Sequence, residues 1–213
     1  MLKLTKRDDM TVQLVFIRHG ESYGNIGLPT PEGYSEEDTP LTEYGLKQAE
    51  ALAEYWFDGI EVAKIYASPF TRTVQTIYPT AKKLGKSVVL IPDLLEVGST
   101  TCGAETERLK ADFPICVPCP EKPLPVPETE EHKSSRAKRF VDFIANNYKN
   151  GETVVVATHG TFFSYLVRAA LNAQGENCFN SQVDNSAVTV VALRADEPPL
   201  LRTANNTSHL NKI

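Results

Sequence analysis

Two histidines, each followed by glycine and each placed directly after an apolar run, are the strongest candidates for chemistry in this chain. His19 follows residues 12–17, and His159 follows residues 153–158. Short valine-rich runs are typical of strands buried on both faces, and residues just beyond their carboxyl ends line the ligand crevice of an open α/β sheet. One such histidine alone would favour a buried structural role, but the repeated His-Gly step favours a shared site. Arg18 adds a guanidinium beside the first imidazole, which indicates phosphate chemistry.

Arg72 is a third candidate, in a segment that joins a predicted strand at 64–67 to a predicted helix at 71–84. An anion at this helix start would meet unpaired backbone N–H groups, the positive end of the helix dipole and a planar guanidinium. A single arginine is more commonly a solvated surface residue. In combination with the two His-Gly steps, Arg72 is better explained as a phosphate ligand.

The ordered series of motifs resembles that of the histidine phosphatase superfamily, which includes cofactor-dependent phosphoglycerate mutases and many phosphomonoesterases. The resemblance spans nearly the whole sequence. Its segments follow the family's order: residues 18–21 with Asn25, then 41–49, 68–76, 95–96, 158–160 and 184–186. Each motif alone is a modest signal, but the ordered set is specific.

The resemblance implies a role for each matching residue. His19 matches the nucleophile, a neutral imidazole that takes the phosphoryl group as phosphohistidine and divides one displacement into two. His159 matches a second catalytic histidine. The groups that hold the phosphoryl oxygens and stabilise the transferring charge match Arg18, Asn25, Arg72 and His159. This chemistry needs no metal and no cofactor.

A carboxyl group must protonate the leaving oxygen and then deprotonate the attacking water. Glu96 matches the family's proton donor and follows the predicted strand 88–91. Glu21 and Glu105 are competing carboxylates. We expect Glu21 to orient Arg18 or its loop, and both a structural ion-pair role and a catalytic role stay open for it. Glu105 is expected to be a charge at a helix start.

The elements that must position these residues are those of one α/β domain covering residues 1–213, since no flexible linker divides the chain. The predicted strands are 12–17, 64–67, 88–91, 153–158, 187–193 and 199–203, and the predicted helices are 42–57, 71–84, 104–111, 129–148 and 162–172. The last two strands are typical of an antiparallel hairpin. The sequence therefore predicts a three-layer sandwich, with a mostly parallel, mixed sheet and helices on both faces. Pro79 is expected to kink its helix or remove one hydrogen bond.

Several side chains are expected to have structural or surface roles. Phe162, Phe163 and Tyr165 should pack a helix against the sheet. His132 lies in a charged helix start and His209 in a polar tail, and we expect both at the surface.

A lid-like insertion is predicted at about 98–127, and in proteins of this kind such a segment covers the pocket. Its charges are balanced, so it lacks the cationic excess that a second phosphate would need. The substrate is therefore predicted to be a phosphomonoester whose remainder is neutral or partly apolar. Cys116 and Cys119 form a C-x-x-C pair within the proline-rich loop 114–127. Because further metal ligands are lacking, we interpret it as a chance pair of reduced thiols.

Charge and hydropathy limit the partners. The net charge of −5 disfavours nucleic acid and anionic membranes, and no apolar run reaches the roughly 20 residues that span a bilayer. Residues 1–10 lack the apolar core of a secretory signal, so a soluble, cytoplasmic protein is expected. Its partner should be a small phosphorylated metabolite. The oligomeric state stays open, with a homodimer among the alternatives.

The leading hypothesis is a metal-independent phosphatase of the histidine acid phosphatase type, a phosphomonoesterase that hydrolyses a small phosphomonoester. A phosphoglycerate mutase is less favoured, because residues 26–30 lack the tryptophan-bearing segments typical of mutases. A catalytically idle phospholigand-binding module is the third alternative, since a fold does not fix its function.

Overall fold

The structure, a computed structural model, describes residues 10–102, 106–117, 124–173 and 179–213. Within these ranges the strands are β1 (Met10–Arg18), β2 (Lys64–Ala67), β3 (Val88–Leu90), β4 (Cys116–Val117), β5 (Glu152–Thr158), β6 (Val188–Arg194) and β7 (Leu200–Asn206). The α-helices are α1 (Tyr23–Ile26), α2 (Glu43–Ala51), α3 (Thr71–Leu84), α4 (Thr106–Asp112), α5 (Glu130–Asn147) and α6 (Gly160–Ala170). A π-helical turn covers Leu52–Trp56, and 3₁₀ turns cover Pro92–Leu94 and Ser208–Lys212.

The strands form one mixed sheet in the order β4-β3-β2-β5-β1-β6-β7. The strands from β4 to β1 are parallel to one another, whereas β6 pairs antiparallel with both β1 and β7. The predicted mixed sheet and the antiparallel hairpin near the carboxyl terminus are confirmed.

Two apolar cores lie on opposite faces of the sheet. Leu14 and Phe16 of β1 belong to the core that α5 and α6 cover, while Val15 and Ile17 belong to the core that α3 and the π-helical turn Leu52–Trp56 cover. Successive strand residues point to opposite faces, so a strand covered on both sides must be apolar at every position. This explains why the run is apolar except at Gln13, whose buried Oε1 accepts from Arg202 Nη1 at 2.6 Å, and it confirms the three-layer architecture of a single α/β domain.

Besides α1 and the two 3₁₀ turns, which the sequence does not predict, two elements differ from the sequence-based prediction. The predicted helix 42–57 is α2 followed by the π-helical turn Leu52–Trp56. Strand β4 lies within the predicted loop 114–127 and pairs with β3 through Cys116 and Val117. Two residues are too few to show an alternating pattern, so the sequence carried no signal for this strand.

Helix α3 continues through Pro79 to Leu84. Ile77 and Ala81 are fully buried on either side of the proline. Burial of this apolar face stabilises the helix despite the backbone donor that proline lacks. The helix ends at Gly85, whose φ of 62° is the left-handed conformation that glycine adopts without strain.

The described part of the segment 98–127 packs against the loop at residues 31–38. The guanidinium carbon of Arg108 lies 3.6 Å from the ring centroid of Tyr34, and Arg108 Nη1 donates to the Gly33 carbonyl at 2.6 Å. Glu105 and Cys119 lie outside the described residues, so the predictions for both remain untested. Within the described part of the chain, no helix is both long and apolar enough to cross a membrane.

Candidate active site

Strand register brings the two histidines together. In the parallel pair β1 and β5, Arg18 lies opposite Thr158, so His19 and His159 leave neighbouring strands at the same level. The His19 N–H donates to the Thr158 carbonyl at 3.0 Å, and the two imidazole centroids are 5.3 Å apart.

His19 is held as a neutral imidazole. Its Nδ1 lies 2.7 Å from the Gly20 carbonyl, which can only accept, so Nδ1 carries the proton and Nε2 carries the lone pair. Burial lowers the pKa of His19 well below 6.5, and the nearby charges of Arg72 and Arg18 lower it further, against the opposing Gly20 hydrogen bond. The ring therefore presents an unprotonated nitrogen at neutral pH.

His159 is fully buried and is oriented by Ser68. Its Nε2 lies 2.8 Å from Ser68 Oγ, and its Nδ1 has no hydrogen-bond partner among the described residues. Strand β2, next to β5, places the serine, whose N–H donates to the Ala157 carbonyl at 3.0 Å. Burial, followed by the charge of Arg72, lowers the pKa of His159 well below its usual value.

Arg18 approaches the start of α6 closely. Its Nη1 donates to the Val183 carbonyl, whereas its buried Nε has no hydrogen-bond partner within the described residues. A Cβ atom at Gly160 would lie 3.2 Å from Arg18 Nε, so the glycine leaves room for the guanidinium. Burial lowers the pKa of Arg18, while Glu96 raises it.

Arg72 lies beside this cluster, in the first turn of α3. Its Nη1 donates to the Glu37 carbonyl at 2.8 Å, and its guanidinium carbon lies 4.5 Å from the ring centroid of Phe70. The sequence predicts that an anion would bind unpaired backbone N–H groups at the start of α3. This prediction is wrong for the N–H of Thr71, which is already paired. The buried carboxylate of Asp38 accepts from Thr71 N at 2.6 Å and from Thr71 Oγ1 at 2.7 Å. The protein's own carboxylate thus takes the place expected for a ligand.

Asn25 belongs to the short helix α1 at the rim of the cavity. Its Oδ1 accepts from Ser22 N at 3.1 Å and from Asn185 Nδ2 at 2.9 Å. The same Nδ2 group of Asn185 donates to the His19 carbonyl at 3.1 Å. Asn185 therefore ties Asn25 to the backbone of His19.

Glu96 lines the cavity and is fixed by three backbone donors. Its Oε1 accepts from Val97 N and Phe162 N, both at 2.8 Å, and its Oε2 accepts from Thr161 N at 3.0 Å. The carboxylate thereby caps the first turn of α6.

Glu21 orients the loop, one of the two structural roles that the sequence left open. Its Oε1 accepts from Thr42 Oγ1 at 2.8 Å, and its backbone carbonyl accepts from Thr42 N at 2.9 Å. The loop that follows β1 is thereby joined to the start of α2.

A support beneath His19 was missed by sequence reasoning. Ser186 N donates to the His19 carbonyl at 3.1 Å, and Ser186 Oγ lies 3.0 Å from His209 Nε2. His209 is only 2% exposed, so its predicted surface position is wrong. The 3₁₀ turn Ser208–Lys212 folds back onto the loop under the site and buries this side chain.

The cavity at the site has a volume of about 750 Å³ and reaches His19, whereas the fully buried His159 is not among its described lining residues. Its described lining includes Arg18, His19, Asn25, Arg72 and Glu96, together with Glu36, Glu37, Glu130, Lys133, Tyr165 and residues 180–183. Tyr165 has a second role besides the predicted packing, because its hydroxyl donates to Glu130 Oε2 at 2.6 Å. The described residues of 98–127 are not part of this lining.

Comparison with known proteins places this arrangement in a family. The family model described as histidine phosphatase superfamily (branch 1) matches residues 14–206. The chain is 28% identical over 221 residues to the metal-independent phosphoserine phosphatase of Arabidopsis thaliana, covering 98% of this chain and 87% of that relative. It is 29% identical over 181 residues to the 2,3-bisphosphoglycerate-dependent phosphoglycerate mutase of Thermoplasma acidophilum, covering 83% of this chain and 85% of the mutase.

A solved structure of phosphoserine phosphatase from Entamoeba histolytica in complex with 3-phosphoglyceric acid has the same fold. The two structures give a TM-score of 0.65 at 24% identity, with 93% of this chain and 99% of the other covered. The chain therefore belongs to the histidine phosphatase superfamily. The family match, together with the Arabidopsis relative, classes it as a phosphatase enzyme.

Proposed function

We propose that this protein is a metal-independent phosphatase that hydrolyses a small phosphomonoester through a phosphohistidine on His19. The observation that carries the proposal is a pair of buried polar atoms beside that ring. Arg18 Nε and His159 Nδ1 have no hydrogen-bond partner among the described residues. Buried polar groups are nearly always paired, and a phosphoryl group would supply the missing acceptors.

Binding of the phosphoryl group follows from the charges that converge on this point. Arg18 and Arg72 supply guanidinium donors, and His159 supplies an Nδ1–H when Ser68 donates to its Nε2. Asn25 contributes an amide at the rim, where its Oδ1 is already taken by Ser22 and Asn185. These donors are preorganised, so they stabilise charge on the transferring group without costly rearrangement.

In the first chemical step, His19 Nε2 attacks phosphorus. An N–P bond forms, the bond between phosphorus and the ester oxygen breaks, and the protonated Glu96 carboxyl gives its proton to the leaving oxygen. In the second step, Glu96 takes a proton from water while the water oxygen attacks phosphorus. The N–P bond then breaks, which releases phosphate and restores the neutral imidazole.

The outer cavity supports a substrate with one phosphate. Apart from Arg18, Arg72 and Glu96, the charged residues of the described lining are Glu36, Glu37 and Glu130 against Lys133. Phosphoserine, the substrate named for the Arabidopsis relative, is the first compound to test. A phosphoglycerate mutase is the alternative that the Thermoplasma relative supports. An idle phospholigand-binding module is the remaining alternative.

We also propose that residues 98–127 act as a lid-like insertion that supports the cavity wall indirectly. Thr100 N and Thr100 Oγ1 both donate to the Glu37 carboxylate at 2.6 Å. Glu37 in turn accepts from Arg72 through its backbone carbonyl.

The proposal is tested by measuring phosphate release from p-nitrophenyl phosphate and phosphoserine in the presence of EDTA. In parallel, 3-phosphoglycerate with 2,3-bisphosphoglycerate is assayed for isomerisation. We expect hydrolysis that resists EDTA and is lost in His19→Ala. Isomerisation much faster than hydrolysis would favour the mutase, and phosphate binding without turnover of any ester would favour the idle module.

A further inference from the structure

Helix α5 contains a fully buried arginine for which the proposed chemistry has no use. Arg136 is 0% exposed, and it forms a two-point ion pair with Glu128. Its Nε donates to Glu128 Oε1 at 2.6 Å, and its Nη2 donates to Glu128 Oε2 at 3.1 Å. The net contribution of such a buried pair to stability is small, because desolvation offsets much of the attraction. Its other contacts therefore indicate what the pair does.

The remaining donor of Arg136 is directed at the segment that carries Glu96. Nη1 donates to the carbonyls of Asp93 and Leu95, each at 2.8 Å. Arg136 thus holds the carbonyl oxygen of Leu95, directly before Glu96, and that of Asp93, three positions before Glu96.

Glu128 holds the other side of the same segment. Its Oε2 accepts from Gly98 N at 3.3 Å, two residues after Glu96. Its Oε1 also accepts from His132 Nδ1 at 2.8 Å. Burial would raise the pKa of Glu128, but the hydrogen bonds from Arg136 and His132 lower it overall, so the carboxylate is charged at neutral pH.

Arg136 also contacts the helix that Glu96 caps. Its guanidinium carbon lies 3.5 Å from the ring centroid of Phe162, and Phe162 N donates to Glu96 Oε1. One ion pair therefore contacts the backbone before Glu96, the backbone after it and a residue that binds its carboxylate.

We propose that Arg136, together with Glu128, is a positioning pair that fixes the Glu96 carboxyl at the distance from the phosphoryl group needed for proton transfer. This inference rests on the proposed role of Glu96. A displacement of about 1 Å can cost up to about 100-fold in rate when a group must transfer a proton in one geometry. Neither residue lines the described cavity, so the pair acts through the groups that it holds, the Glu96 segment above all.

The readout is the dependence of the rate on the leaving group. An alkoxide leaves poorly without a proton, whereas nitrophenolate leaves well without one. Damage to the acid should therefore lower kcat/KM for phosphoserine far more than kcat/KM for p-nitrophenyl phosphate. A general loss of folded protein would lower both equally.

The variant to test is the double substitution Glu128→Gln with Arg136→Met, which removes both charges and leaves no unpaired buried carboxylate. Arg136→Lys, which keeps the charge but loses the planar fork, is a second variant. Lys138→Met is the matched control, because Lys138 lies on the same helix and its exposed ion pair with Asp142, at 2.7 Å, lies within α5. Glu96→Gln is the reference for loss of the acid. The folded fraction of each variant is measured by denaturant unfolding.

We expect the double variant and Arg136→Lys to lose at least about tenfold more kcat/KM on phosphoserine than on p-nitrophenyl phosphate. Glu96→Gln should show the same selective loss to a greater degree, and Lys138→Met should match the wild type. The positioning role is wrong if the folded double variant and the folded Arg136→Lys variant lose kcat/KM equally on both substrates, or keep wild-type rates. Either result would leave the proposed role of Glu96 intact. If Glu96→Gln shows no selective loss, both the proposed acid and this inference are wrong.

Discussion

His159 and Ser68 form a buried pair, in which Nε2 of the histidine lies 2.8 Å from Oγ of the serine. The two residues follow neighbouring strands, β5 and β2, and both are 0% exposed. If the serine hydroxyl donates to Nε2, the imidazole proton must lie on Nδ1. The serine thereby sets which histidine nitrogen can donate to a bound phosphoryl group.

Substitution of Ser68 by alanine should lower kcat/KM by about 10- to 100-fold, because His159 loses the contact that fixes its tautomer and ring orientation. Steady-state kinetics with p-nitrophenyl phosphate measures the effect. Ser87→Ala, a change at a half-buried serine outside the described cavity lining, serves as the control. Unchanged kinetics in a folded Ser68→Ala variant would contradict this role.

The candidate cluster could be predicted from the sequence because its members follow buried apolar strands. Adjacent parallel strands must end at the same edge, so residues after β1, β2 and β5 had to meet. Arg18, His19 and His159 therefore could be grouped before any distance was known. Arg72 could be added because it lies one short segment beyond β2.

The supporting residues could not be predicted, since their positions depend on contacts between distant segments. Asp38, Arg136 and His209 are polar residues in or beside segments without a strong apolar pattern, yet all three are buried. Burial of a polar side chain depends on which partner the fold brings to it. Asp38 is hydrogen-bonded to Thr71, Arg136 to Glu128 and His209 to Ser186.

His209 should make the protein less stable in mild acid. Burial lowers its pKa from 6.5 to about 4, so the unfolded chain binds a proton that the folded protein does not. The contribution of neutral His209 to the free energy of unfolding is therefore fully present above pH 6.5 and is lost progressively as the pH falls towards 4. The loss amounts to about 3 kcal/mol of unfolding free energy.

Urea unfolding of the wild type and His209→Gln across this pH range measures that contribution. The free energy of unfolding of the wild type should fall more steeply with decreasing pH than that of the variant, by the amount given above. Other titrating groups affect both proteins and cancel in the comparison. Parallel pH profiles would show that His209 does not titrate in this way.

Glu36→Lys should improve the use of bisphosphates. Glu36 is an exposed residue on the cavity lining, and its carboxylate repels a second phosphate there. We expect kcat/KM for 2,3-bisphosphoglycerate to rise a few-fold and the gain to shrink at high salt, as for any exposed charge. Glu32→Lys, an exposed change outside the described lining, is the control. An equal gain in both variants would indicate a general charge effect.

Gly45→Ala should destabilise the protein although alanine is the better helix former. A Cβ atom at Gly45 would lie 2.0 Å from the Glu21 carbonyl oxygen, so α2 and the loop after β1 would have to separate. The expected cost is about 1–3 kcal/mol of unfolding free energy, with reduced activity because His19 lies in that loop. Lys47→Ala, an exposed change on the same helix, should have little effect. A Gly45→Ala variant as stable and active as Lys47→Ala would contradict the close approach.

The central claim is that His19 carries the phosphoryl group during turnover, and the most direct measurement is to trap that intermediate. Glu96→Gln is mixed with p-nitrophenyl phosphate, quenched in alkali within milliseconds, digested and mapped by mass spectrometry. Loss of the base should slow hydrolysis of the phosphoenzyme, so an acid-labile phosphate is expected on the His19 peptide and none in His19→Ala with Glu96→Gln. Release of one equivalent of nitrophenolate with no phosphate on His19, or with phosphate on another residue, would contradict the account.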